Sequence, residues 1–106
     1  MIDTLLRVAD LVMKPLGAVI GRRRELRAAR NRVVRRLRGM REAKGKVWDD
    51  EKWHLGPELD RLGEAIAQAG AGPDWSGAEQ RARQRVLLGG EREAIDDSIR
   101  ELEALS

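Results

Sequence analysis

Apolar residues recur along residues 2–20 with a helical period. At 100° per residue, Ile2, Leu5, Leu6, Val8, Ala9, Val12, Met13, Leu16, Val19 and Ile20 fall within one arc of about 160°. Asp3, Arg7, Asp10, Lys14 and Gly17 take the opposite side, and Leu11 is the one large apolar exception. The pattern predicts a helix with one broad apolar face. Pro15 has no N–H to donate and predicts a kink or a new first turn, with Gly21 as a second weak point.

From Arg22 to Val47 the apolar stripe narrows to Leu26, Ala29, Val33, Val34, Leu37, Met40 and Val47. One heptad register is apolar at every seventh residue: Leu5, Val12, Val19, Leu26, Val33, Met40, Val47. Its companion register begins apolar at Ile2, Ala9 and Leu16, then turns mostly basic through Arg23, Arg30, Leu37 and Lys44. A narrow seam flanked by arginines is the pattern of a long helix making partial contacts. The expected interface with a second helix is therefore Leu5, Val12, Leu16, Val19, Leu26, Val33, Leu37 and Met40.

The second half punctuates itself more often. Trp48-Asp49-Asp50-Glu51-Lys52-Trp53-His54 leads to Gly56-Pro57, which predicts a corner, with Pro57 opening a new helix. Trp48 and Trp53 lie about 140° apart on a helical wheel. They are expected to fill that corner between two helices rather than share a face; a stacking platform for bases is the alternative. Leu55, Leu59, Leu62, Ile66 and Ala69 then repeat at helical spacing up to Gly70. Ala71–Trp75 reads as a turn, and Ser76 with Glu79 as a capping box for a helix over 77–88. Gly89-Gly90 breaks it, and Glu91–Leu105 forms the last helix. Leu59, Leu62, Ile66, Ile95, Ile99 and Leu102 are the expected core of this half.

Charge changes the picture most. Residues 22–46 hold ten arginines and two lysines against Glu25 and Glu42, a local charge of +10. Residues 1–21 balance at zero, and residues 47–106 carry −7, so the net +3 conceals a strongly dipolar chain. The arginine face, with Arg22, Arg23, Arg24, Arg27, Arg30, Arg35, Arg36 and Arg38 as its contact residues, suits phosphates, an acidic protein, or the chain's own acidic half. Guanidinium groups bind phosphate bidentately, but only Asn31 in this stretch belongs to the side chains that read base edges. Any nucleic-acid contact is thus expected to be weakly sequence-specific, and an acidic protein surface is the favoured partner.

Composition restricts the rest. With 106 residues there is room for one domain or an extended helical assembly. Three tryptophans are the only aromatic residues, so a core must come from Leu, Val, Ile and Ala. The absence of cysteine removes disulfides and thiolate metal sites. His54 is the single histidine; Asp50 stands one turn before it, but two ligands do not make a metal site, and a solvated or capping histidine is favoured. Asp49, Asp50 and Glu51, like Asp96 and Asp97, fit helix starts better than acid–base pairs. No nucleophile elbow, phosphate loop or dinucleotide fingerprint occurs. No enzyme, cofactor or small-molecule substrate is expected. Nor is a signal peptide or a membrane span: Arg7, Asp10 and Lys14 interrupt the first apolar stretch. A peripheral membrane contact through the N-terminal helix is the weaker alternative, because the polar side of that helix is charge-balanced.

The amphipathic start with Lys14-Pro15, the charged Arg/Glu-rich helix, and the Trp-acidic cluster Trp48–Trp53 resemble, over residues 1–55, small helical accessory or virion proteins of tailed bacteriophages. The resemblance is one of layout. It implies a structural or accessory role in a cytoplasmic or virion-associated setting. The sequence as a whole predicts an all-α chain, extended or coiled-coil-like: a long kinked N-terminal helix over 1–48, then an acidic segment over 49–106 with three shorter helices. Its partners are expected to be itself or another helical protein, with nucleic acid as the alternative.

Overall fold

The chain is described from a computed structural model that gives the backbone of residues 2–105 and the side chains of residues 21–105. It is 85% helical, and no strand occurs among the described residues. A long first helix is followed by shorter ones, as its patterning predicts: α1 (Ile2–Glu42), α2 (Lys46–Ala69), α3 (Pro73–Ala82) and α4 (Ala94–Glu103), with a π-helix (Arg83–Leu88) continuing α3. The side chains of Leu5, Val12, Leu16 and Val19, and the kink expected at Pro15, lie outside the described residues. The weak point expected at Gly21 does not interrupt α1.

α1 stops at Glu42, short of the expected end near residue 48, and two further helix boundaries differ from expectation. Pro57 does not open a helix; it lies inside α2, which runs on from Lys46. The missing N–H leaves the carbonyl of Trp53 without its usual partner. Both residues are exposed, so water satisfies that carbonyl and the helix tolerates the proline. The other is the start of α3. It begins at Pro73, with Gly72 as an extended N-cap, so Ser76 is inside the helix and caps nothing. Proline at the first helical position loses no hydrogen bond there, and Asp74 in the first turn suits the helix dipole. Glu79, expected to reach back to the cap, is buried instead.

α2 ends at Gly70, which adopts the left-handed conformation (φ 60°, ψ 36°), and Ala71 donates to the carbonyl of Ile66 at 3.0 Å, closing a Schellman-type turn. After the three-residue turn Ala43–Gly45, α2 runs back antiparallel to α1: Arg36 meets Glu51 and Glu58, while Leu26 lies near Ala69. α4 is antiparallel to α1 as well, pairing Arg41 with Asp96 and Arg38 with Glu103. α3 and the π-helix pack antiparallel on α2, where Arg83 meets Asp60 and Leu87 approaches Gly56. The C-terminal half of α1 thus forms a four-helix bundle with the other three elements.

One core joins the basic and acidic segments across the 48/49 boundary. Val33, Leu37 and Met40 of α1, Leu55, Leu59 and Leu62 of α2, Val86 of the π-helix and Leu102 of α4 are all fully buried in it. Ile66, Ile95 and Ile99 are buried there too. The radius of gyration is 17.7 Å, against about 13 Å for a compact chain of this length. The difference follows from α1, whose 41 residues outrun the 24 of α2.

Candidate functional site

Leu26, Val33, Leu37 and Met40, assigned by the heptad pattern to an interface between molecules, are instead covered by the chain itself, at 6%, 0%, 0% and 0% exposure. The physical reason is the short turn after Glu42, which brings the apolar stripes of α2 and α4 onto the same seam. The register also stops at Met40. Val47 falls on the first turn of α2 and is 58% exposed.

The arginine face divides along its length. Arg36 is clamped from two sides: Nη1 donates to Glu51 Oε2 at 2.8 Å, and Nη2 and Nε donate to Glu58 Oε1 at 2.7 and 3.2 Å. These bonds, that to Glu58 first, raise the guanidinium above its ordinary pKa against the opposing effect of burial. Glu58 Oε2 is buried with no hydrogen-bond partner, so this carboxylate depends on Arg36 for its charge balance. Arg38 pairs with Glu103, and Arg41 with Asp96 at 2.9 Å. Arg30 donates to the carbonyl of Leu105 and lies over the Trp75 ring, 5.6 Å from its centroid. The chain's acidic half has therefore taken up the part of the arginine face from Arg30 to Arg41, apart from Arg32 and Arg35.

Towards the N-terminus the same face is bare. Arg22, Arg23, Arg24 and Arg27 are exposed, and none makes an ion pair among the described residues; the same holds for Arg32 and Arg35. Arg23 and Arg27 border a small cavity of about 170 Å³ with Leu26, Gly70 and Trp75. There they stand beside the C-terminus of α2, which has no basic residue in its last turn, and their charge complements its dipole.

Trp48 and Trp53 part company. Trp48 is half-buried, packs against the core, and carries the Arg92 guanidinium 4.6 Å from its ring centroid. Trp53 fills no corner: it is 79% exposed, because the corner it was meant to fill is continuous helix. It stands on a groove of about 540 Å³ between α2 and the π-helix, with Gly56, Pro57 and Leu87 on its walls. Leu88, next in sequence to Leu87, is 72% exposed. Arg83 fixes the other wall, donating to Glu79 Oε1 at 2.7 Å and to Asp60 Oδ1 at 2.8 Å. The bond to Glu79 is the larger cause of its raised pKa.

Sequence reasoning missed this groove because it needs the π-helix. The wide turn carries Gly89 N–H to Gln84 C=O at 2.9 Å, five residues back. A Cβ on Gly89 would stand 2.9 Å from the carbonyl oxygens of both Gln84 and Arg85, so only glycine fits. The Gly89-Gly90 pair is the one sequence signal of it, and as a sequence it reads only as a helix stop.

His54 is exposed, and no cluster of three potential metal ligands occurs among the described residues. No described helix is long and apolar enough to cross a membrane. Comparison with protein families, curated proteins and solved structures finds no match to this chain.

Proposed function

We propose that this chain is a non-enzymatic helical assembly protein. In this reading a four-helix head carries an N-terminal helical arm. The arm's apolar arc, residues 2–20, joins a second copy or another helical protein, and the arginine collar Arg22, Arg23, Arg24 and Arg27 docks an acidic surface. A structural or accessory place in a bacteriophage particle belongs to the same proposal and draws on the layout of residues 1–55 alone.

One observation carries it. The apolar seam of α1 is used internally from Leu26 onward, ion pairs hold Arg36, Arg38 and Arg41, and Arg22, Arg23, Arg24 and Arg27 at the other end are exposed with no ion pair among the described residues. An apolar arc as broad as that of residues 2–20 calls for cover in water. The docking surface is accordingly placed at the N-terminal end of α1, and not along the whole heptad stripe.

The unpaired arginines also favour a second reading, a nucleic-acid-binding factor of low sequence specificity. Molar mass in solution, measured at low and high salt with and without duplex DNA, separates the two. The assembly reading expects self-association at micromolar concentration and weak DNA binding near 150 mM salt. Submicromolar DNA binding, falling with a logarithmic salt slope near −0.9 per phosphate contact, from a protein that stays monomeric, would replace it with the nucleic-acid reading.

A further inference from the structure

We infer that the groove beside Trp53 receives the N-terminal arm, residues 2–20, of a second copy of this chain. The inference rests on the self-assembly reading above and names the surface that meets the arm.

The groove has the features of a helix-docking site. Its walls are Pro57, Leu87 and the ring of Trp53, and Gly56, having no side chain, leaves room between them; a Cβ there would sit 3.8 Å from Leu87. Trp53 and Leu88 are two of the three large apolar residues left exposed among the described ones. A tryptophan presented at the edge of an apolar groove is the residue type most often found to dominate binding energy. The wall is also built on an unusual turn, the π-helix Arg83–Leu88. π-Helical turns are rare, and where they occur they are frequent at functional sites.

Charge selects the occupant. The rim carries two acids and two bases, Asp49, Asp60, Lys52 and Arg83, with Asp60 and Arg83 already paired. Neither a polyanion nor a strongly basic peptide gains from such a rim. A helix with a broad apolar arc and a balanced polar side does, and residues 2–20 supply it: Asp3 and Asp10 against Arg7 and Lys14.

The occupant comes from another molecule. Arg36 is level with the groove, because it binds Glu51 and Glu58 of the same stretch of α2. Gly21 lies fifteen residues before Arg36 on α1, about 22 Å along the helix, and the arm begins beyond it. Two copies related by a two-fold axis, with their first helices antiparallel, would each place an arm in the other's groove, and the arrangement closes as a dimer.

The chain has no cysteine, so engineered thiols report contacts cleanly. One preparation carries Val12→Cys, a second carries Leu88→Cys, and the two are mixed and oxidised. The expected product is the mixed disulfide. Cross-links between Val12 positions alone, with self-association intact, would overturn the groove as the arm's site and leave the assembly reading standing. A monomer with no cross-link would overturn both, and one that floats with anionic vesicles would assign the arm to a membrane surface. Trp53→Ser, at a side chain too exposed to affect folding, is expected to weaken self-association roughly thirtyfold with an unchanged melting curve. Unchanged association would count against the groove.

Discussion

Two arginine-rich stretches of α1 meet different fates. From Leu26 to Arg41, apolar residues at heptad spacing are buried, and Arg36, Arg38 and Arg41 bind carboxylates of α2 and α4. From Gly21 to Glu25 every residue is exposed, and Arg22, Arg23 and Arg24 make no ion pair among the described residues. Arginine content does not separate the two. Reach does: α2 is 24 residues long and ends at the Gly70 turn level with Leu26, so it does not run alongside residues 21–25. A heptad stripe thus reports that a face wants covering, while the lengths of the other elements decide whether the cover is internal.

The sharpest way to break this comparison is to cut into the buried stretch. Leu37→Ala and Met40→Ala should each cost about 2–5 kcal/mol, read from the denaturant midpoint. An unchanged midpoint would mean that the seam faces a partner. Gly89→Ala should cost about 1–3 kcal/mol, since its Cβ would collide with two backbone carbonyls. It should also move Leu87 and Leu88, weakening association beyond the stability loss. A variant as stable as the parent would refute the account of the π-helix.

Arg36→Ala should cost about 1–3 kcal/mol, towards the lower end because the pair is about a quarter exposed; the loss leaves both carboxylate oxygens of Glu58 without a side-chain partner in a largely buried place. Arg22→Ala, by contrast, should change stability by less than about 0.5 kcal/mol. Equal effects would dissolve the division between paired and bare arginines. Replacing Arg22, Arg23 and Arg24 together with Ala is likewise expected to leave folding nearly unchanged. That variant should keep its melting curve and elute from an anionic column at lower salt, because surface charges screened over about 8 Å at physiological ionic strength act on partners more than on the fold.

Much of the head was legible in the sequence. The helical class follows from aromatic-poor, Leu/Val/Ala-rich patterning, and Leu59, Leu62, Ile66, Ile95, Ile99 and Leu102 take the buried positions their spacing assigns them. The pairing of arginines with the acidic half was foreshadowed by the split charge. What stayed hidden depended on context. Pro57 reads as a helix start until its neighbour Trp53 is known to face water. Ser76 and Glu79 match a capping box, yet Gly72-Pro73 begins α3 earlier. The destination of Trp53 followed from the same misplaced corner, and the groove beside it depends on a π-helix that no local propensity announces.

The central claim is that the head folds on its own and the arm assembles it. Sedimentation velocity across a micromolar concentration series, on the parent chain and on one carrying Val12→Asp and Val19→Asp, tests this directly. The account predicts that the parent self-associates, and that the variant sediments as an 11.9 kDa monomer with an unchanged melting temperature. A parent that is monomeric throughout, or a variant that loses its fold along with its association, would contradict it.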